Sequence, residues 1–249
     1  MPDKVVVITG GSSGIGAATA ILLAQQQHTV VLVARRREVL DEVAARCGGK
    51  GQVEVADVTR RAEVKRVVQH TLSTHGRIDV WINNAGQGIT RMPSELTDDD
   101  VDLMMTANVK SAMYGMQEVL PHFRDRGRGH IINISSLLGR IPYATMRSAY
   151  CGAKHFLNAL TATFRAEIQQ THPEIQVSLV SPGVVYTEFG VNAVHGGPDS
   201  RQLPDGQSAE EVAAVIARVI ETREADVYTR GGAHQRILDY YAATGTDPR

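Results

Sequence analysis

Apolar residues in this chain fall into short β-branched runs, separated by stretches in which they recur at every third or fourth position. Val5-Val6-Val7-Ile8, Thr29 to Ala34, Gln52 to Ala56, residues 78–82, 129–134 and 175–180, and a last short stretch from Asp226 to Thr229 have the length and composition of strands. Between them, Ala17 to Gln27, Arg36 to Cys47, and residues of about 60–75, 98–106, 108–126 and 147–171 carry the apolar stripes of amphipathic helices. Thr97 ahead of Asp98-Asp99-Asp100 reads as an N-cap whose acids suit the helix dipole. Ser208-Ala209-Glu210-Glu211 reads as a capping box opening a helix that runs to Thr222. Buried-type strands alternating with helices predict one α/β domain over 1–249, a doubly wound, Rossmann-like parallel sheet with helices on both faces. Glu188 to Gln207 breaks the rhythm with Gly190, Gly196, Gly197, Pro198, Pro204 and Gly206, which predicts a long substrate loop with a short helix.

Composition narrows the function. A net charge of −1 lacks the basic excess that a nucleic acid or an anionic membrane surface would require, and no apolar run has the length of a membrane span. The two cysteines, Cys47 and Cys151, have neither disulfide-framework nor zinc spacing, so no metal site is expected and a reducing, cytoplasmic setting is. A small-molecule partner is the remaining class.

Three places carry chemistry. Gly10 to Gly16 lies between the first strand and the first helix, where glycines let the backbone approach a pyrophosphate at the helix N-terminus; as a bare pattern it is equally a tight turn. After the second strand, the position that reads the ribose of a dinucleotide holds Ala34, followed by Arg35-Arg36-Arg37. With no carboxylate to accept from a 2′-hydroxyl, and guanidinium groups to pair a 2′-phosphate, NADP is favoured over NAD. Asp57-Val58 closes the third strand, as an acceptor for an adenine amino group or as the N-cap of the next helix. Asn83-Asn84-Ala85-Gly86 closes the fourth as a small polar turn. Finally, Tyr150 and Lys154 share one helical face, where an ammonium could lower the phenol pKa toward neutrality; alone, such a pair reads first as a solvated helix surface.

Thr9-Gly-Gly-Ser-Ser-Gly-Ile-Gly16, Asn83-Asn-Ala-Gly86, Ser136, Tyr150-x-x-x-Lys154 and Pro182-Gly183-x-x-x-Thr187 stand in the order found in the short-chain dehydrogenase/reductase family, and over nearly its whole length the chain resembles the compact single-domain branch. The resemblance implies a seven-stranded parallel sheet, a homodimer or homotetramer packed through helices, and four catalytic residues. Tyr150 would exchange a proton with the substrate oxygen, Lys154 would lower the tyrosine pKa and bind the nicotinamide ribose, and Ser136 would polarise the carbonyl. Asn108 would hold a water in a relay to Lys154, although by itself it reads as a helix kink. Cofactor contacts are implied for Gly10, Ser12, Ser13, Gly14, Ile15, Gly16, Arg35, Arg36, Asp57, Val58, Asn84, Ala85, Gly86, Tyr150, Lys154, Pro182, Gly183, Val185 and Thr187.

Departures from the family pattern mark the next questions. Ser136 lies fourteen residues before Tyr150, one more than is usual, so an extra residue is expected in the turn and Ser135 is a second choice for the same role. Gly152 inside a helix suggests close approach of the cofactor or a neighbouring helix, since glycine there costs about 1 kcal/mol relative to alanine. Ser13 stands where some NADP-using members carry a basic residue, which weakens the NADP reading. Tyr143, Met146, Tyr186, Phe189 and His195 suggest an apolar pocket with polar edges, His195 being a surface loop residue. The chain thus reads as an NADP-dependent oxidoreductase acting on a carbonyl/secondary alcohol pair, with a non-catalytic NADP(H)-binding redox sensor as the alternative. The epimerases and dehydratases of the extended relatives carry more chain after Thr187.

Overall fold

A computed structural model describes residues 3–245. Seven parallel strands form one sheet in the order β3-β2-β1-β4-β5-β6-β7. They are β1 (Val5–Thr9), β2 (Thr29–Ala34), β3 (Gly51–Val55), β4 (Val80–Asn83), β5 (Gly129–Ile134), β6 (Ile175–Ser181) and β7 (Asp226–Tyr228). The helices between them are α1 (Gly14–Gln25), α2 (Arg37–Arg46), α3 (Arg61–His75), α4 (Asp98–Met105), α5 (Ser111–Arg126), α6 (Ser148–Gln169) and α7 (Ala209–Thr222), and α8 (Ala233–Thr244) closes the chain.

The strands are apolar on both faces because each face has its own core. In β1, Val6 and Ile8 point to the side covered by Leu23 of α1, Leu40 of α2 and Ile216 of α7. Val5 and Val7 point to the other side, against Val67 of α3 and Phe123 of α5. Each fully buried Val, Leu, Ile or Phe contributes about 1.5–3 kcal/mol through the water it sheds, so the two cores hold the sheet rigid under the site. β1 pairs with β2 on one side and with β4 on the other, so successive crossovers leave β1 in opposite directions. Beyond the carboxyl ends of β1 and β4 this reversal opens the crevice where doubly wound folds bind ligands.

The expected strands and helices are all present, with shifts at their ends. α1 begins at Gly14 rather than Ala17, inside the glycine turn. The expected caps form: Thr97 and Asp100 make a reciprocal capping box, as do Ser208 and Glu211. Between α4 and α5 the chain passes through a π-turn, Thr106–Lys110, in which Ser111 N–H donates to the Thr106 carbonyl. No helix among the described residues is long and apolar enough to cross a membrane.

Candidate active site

The cofactor end is a cradle that side chains would fill. Gly10 and Gly14 have φ of +66° and +52°, which β-carbons resist, and a β-carbon on Gly16 would overlap the Gly10 carbonyl and the Asn84 amide. Asn84 fastens this turn to β4, its Nδ2 donating to the carbonyls of Thr9 (3.0 Å) and Gly10 (3.1 Å). Ser13, the N-cap of α1, makes no side-chain cap, and the first turn holds no acid. The first N–H groups of α1 are therefore left for an anion, as a pyrophosphate requires. Thr187 reaches the same place from beyond β6: a β-carbon on Gly14 would stand 3.1 Å from Thr187 Cγ2.

At the far ends of β2 and β3, Arg35 and Arg36 are exposed and, among the described residues, form no ion pair, whereas Arg37 pairs with Asp41 at 3.0 Å. Asp57 is not the N-cap of α3, a place taken by Arg60. Its Oδ1 instead accepts from the Thr59 N–H (3.0 Å) and hydroxyl (2.7 Å), an Asx-turn. Burial alone would raise its carboxyl, but the Thr59 bonds and the neighbouring Arg35 and Arg60 hold it below the usual value. Val58 packs on the α3 side of the sheet and Val185 is buried in the opposite core, so both can offer a ligand little beyond backbone.

The four implied catalytic residues meet at the ends of β4 and β5. A β-carbon on Gly86 would stand 2.8 Å from Asn108 Oδ1 and 3.7 Å from Lys154 Nζ, so this glycine keeps their meeting point open. The π-turn aims Asn108 there, and its side chain is gripped by Gln87: Oδ1 accepts from Gln87 N–H (3.2 Å) and Nδ2 donates to the Gln87 carbonyl (2.9 Å). Such turns concentrate at functional sites, and the kink and the polar role here coincide. The two serines are separated by direction. Ser135 Oγ is buried and donates to Asn158 Oδ1 at 2.5 Å, whereas Ser136 faces the Tyr150 phenol and accepts from Leu138 N–H at 3.1 Å. The long Ser136–Tyr150 connection begins with a short helical turn, Leu137–Gly139.

One expectation fails at α6. Tyr150 is not drawn toward neutrality: burial pushes its pKa up, Ser136 being the strongest opposing influence. Lys154 lies 5.7 Å from the Tyr150 ring centroid, but its ammonium donates to the Ile134 carbonyl at 2.9 Å, and burial lowers its own pKa to about 8. Within the chain nothing approaches Gly152, whose β-carbon would meet open space.

Opposite this floor, the substrate loop is stitched down. Val194 bridges Ile89, with Thr90 N–H donating to the Val194 carbonyl and Val194 N–H to the Gly88 carbonyl, both at 2.9 Å. His195 is an exposed loop residue, as expected, and its Nε2 meets Asp100 Oδ1 at 2.8 Å while Arg91 meets Oδ2 at 2.8 Å. His195, the Thr97 backbone and Arg91 together hold the Asp100 carboxyl well below the usual carboxylate range. Phe189 lies against the Tyr150 ring at 5.5 Å, and a β-carbon on Gly88 would touch both Phe189 and Arg147 Nη1 at 2.9 Å. Arg147, half-buried with its Nη1 on the Ile89 carbonyl (3.1 Å), was not among the sequence candidates. Three residues before a helical tyrosine, an arginine carries no signal of its own. Beside this floor a second recess of about 380 Å³ opens between Leu137, Gly183, Arg230 and Arg236.

With that geometry in place, the comparisons agree. The family described as short chain dehydrogenase matches residues 4–196, and the chain belongs to it. An uncharacterized oxidoreductase of Staphylococcus saprophyticus is 37% identical over 188 residues, covering 75% of this chain and 76% of that one. A short-chain dehydrogenase from Sphingobium yanoikuyae, solved in complex with NADPH, is 30% identical with a TM-score of 0.82 over 99% of this chain and 97% of that one. One from Burkholderia phymatum, solved in complex with NAD, superimposes with a TM-score of 0.88 over 99% of this chain and 98% of that one; at 23% identity it shows the fold alone.

Proposed function

We propose that the protein is an NADP-dependent oxidoreductase that reduces a carbonyl to a secondary alcohol, with Tyr150 as proton donor. The observation that carries the reading is that Ser136 faces the Tyr150 phenol, Lys154 lies 5.7 Å from the Tyr150 ring centroid, and Lys154 and Asn108 meet over Gly86. When bound, a nicotinamide supplies the hydride. The chain supplies orientation and the proton. Ser136 already accepts from Leu138, which leaves its own proton to donate to a carbonyl oxygen. Burial keeps Tyr150 protonated, the state that gives a proton to that oxygen as the alkoxide forms. Lys154 and Asn108, both buried, border the route by which a proton returns to the phenol.

NADP is preferred to NAD in this reading because Ala34 offers no carboxylate and the adjacent Arg35 and Arg36 are exposed cations that form no ion pair among the described residues. The NADPH bound to the Sphingobium relative is in keeping with that preference. A homodimer or homotetramer is expected from the exposed Val101 and Leu103 on α4 and Phe156 on α6, which light scattering would test. No nucleic acid or membrane partner is expected of so evenly charged a chain, and the cytoplasm remains its expected setting. The decisive experiment is a panel of ketones and aldehydes with NADPH or NADH, followed at the nicotinamide absorbance. NADPH consumption exceeding that of NADH supports the reading. NADPH that binds and is consumed with no member of the panel points instead to a cofactor-binding sensor.

A further inference from the structure

The recess beside Ser136 shares only Tyr143 with the pocket expected from the sequence, and its charge points to a substrate class. Its volume of about 380 Å³ lies within the size range of small-molecule sites. One wall begins at Leu137, which follows the catalytic serine and donates its N–H to the Pro182 carbonyl at 2.8 Å. The wall continues through Gly183, where a β-carbon would stand 3.4 Å from Leu137 Cδ1 and 3.8 Å from Arg230 Cδ. The opposite wall is the start of α8, whose Ala233 and Ile237 pack on Leu137 and Ile141 and so fix the Arg-bearing segment relative to Ser136. Arg230 and Arg236 both line the recess, both are exposed, and neither forms an ion pair or a side-chain hydrogen bond among the described residues. Asp205 also lines it and is not paired with either guanidinium. The recess therefore carries a net single positive charge within one wall's reach of the reacting centre. Two guanidinium forks suit a planar carboxylate, and the residual charge matches one carboxylate better than a dianionic phosphate.

We infer that the recess lined by Arg230 and Arg236 binds a carboxylate of the substrate, so that the protein acts on oxo acids or hydroxy acids whose carboxylate lies several carbons from the reacting carbon. The inference rests on the carbonyl-reductase reading for its chemistry, but its binding half can be read separately. The probes are straight-chain oxo acids of graded length and their methyl esters, with NADPH present. For the length that spans the gap, kcat/KM for the acid exceeds that for its ester at least tenfold, and the excess collapses in Arg230→Gln/Arg236→Gln. The double lysine variant, which keeps the charges but not the forks, recovers part of it. Asp205→Asn raises the acid preference, because it removes a like charge from the recess. Equal use of acid and ester at every length, or a preference that the double glutamine variant retains, overturns the inference while leaving ketone reduction intact. If no probe is turned over, calorimetric binding of the acids and esters to the NADPH complex decides: a preference for acids that the variants abolish sustains the carboxylate site and sinks the reductase reading, and no preference sinks the site.

Discussion

The two walls of the cleft are built differently. On the cofactor side, short turns leave rigid strands, and the contacts that matter are backbone: glycines without β-carbons, free N–H groups at the start of α1, and Asn84 pinning the turn to the Thr9 and Gly10 carbonyls. On the substrate side, a long loop is held by a few polar side chains, with Asp100 between His195 and Arg91 as the central fastening, and residues from the end of the chain complete the wall. Reaction class is written on the first wall and the choice of substrate on the second. A backbone cradle accepts few sequences, whereas a wall of side chains on loops can be rebuilt without disturbing the sheet.

Variants should separate the walls. The largest effect is expected from the residue between them. Tyr150→Phe removes the proton donor and lowers kcat by about 10²–10⁴, while NADPH titration by fluorescence returns the wild-type affinity; retained turnover would remove Tyr150 from the mechanism. Asp100→Asn should act on the substrate wall alone. It deprives Arg91 of its counter-charge and loosens the loop bearing Phe189, so KM for ketone rises severalfold as NADPH affinity holds. A parallel loss of NADPH affinity would show that the walls are not independent.

The protonation states should also divide. Lys154 titrates near 8, so kcat/KM for reduction falls above about pH 8 as the ammonium beside the cleft is lost. Tyr150, pushed upward by burial, adds no limb at lower pH. Away from both walls, buried His130, lowered to about 3 by burial, favours the neutral form in the folded state. The unfolded chain takes up that proton first, so stability present above pH 6.5 is lost as pH falls toward 3, at about 1.4 kcal/mol for each pH unit. Urea midpoints should fall from pH 7 to pH 4, with the lowered His28 and His122 adding to the loss. The smallest effect is expected at Gly152, whose β-carbon would enter open space: Gly152→Ala should stabilise by about 0.4–1 kcal/mol and raise Tm by a few degrees. A loss of stability there would reveal a neighbour.

How much was legible follows the same division. Alternating runs such as Val5 to Ile8 and Thr29 to Ala34 announced buried parallel strands, and Gly10 to Gly16 announced the cradle, because strand and turn geometry constrain residue type directly. The choice between Ser135 and Ser136 was not legible: adjacent residues at a strand end point oppositely, and only the position of Asn158 shows which one is occupied. The pKa of Tyr150 could not be read from the spacing of Lys154, since burial and the Ile134 carbonyl decide where the ammonium acts. Helix α8 has a weak sequence signal although Ile237 and Tyr240 carry its apolar face, because its start at Gly232 offers no side-chain cap. Arg147, Arg230 and Arg236 have no motif, and their importance lies in which loops the fold brings beside Ser136.

Isotope transfer tests hydride transfer to a carbonyl most directly. NADPH deuterated at the transferring position of the nicotinamide is incubated with enzyme and the best ketone of the panel, and the alcohol is weighed by mass spectrometry. One deuterium on the carbinol carbon, gained by wild type and not by Tyr150→Phe with NADPH still bound, is the predicted result. An alcohol without deuterium, or equal labelling by the variant, would contradict it.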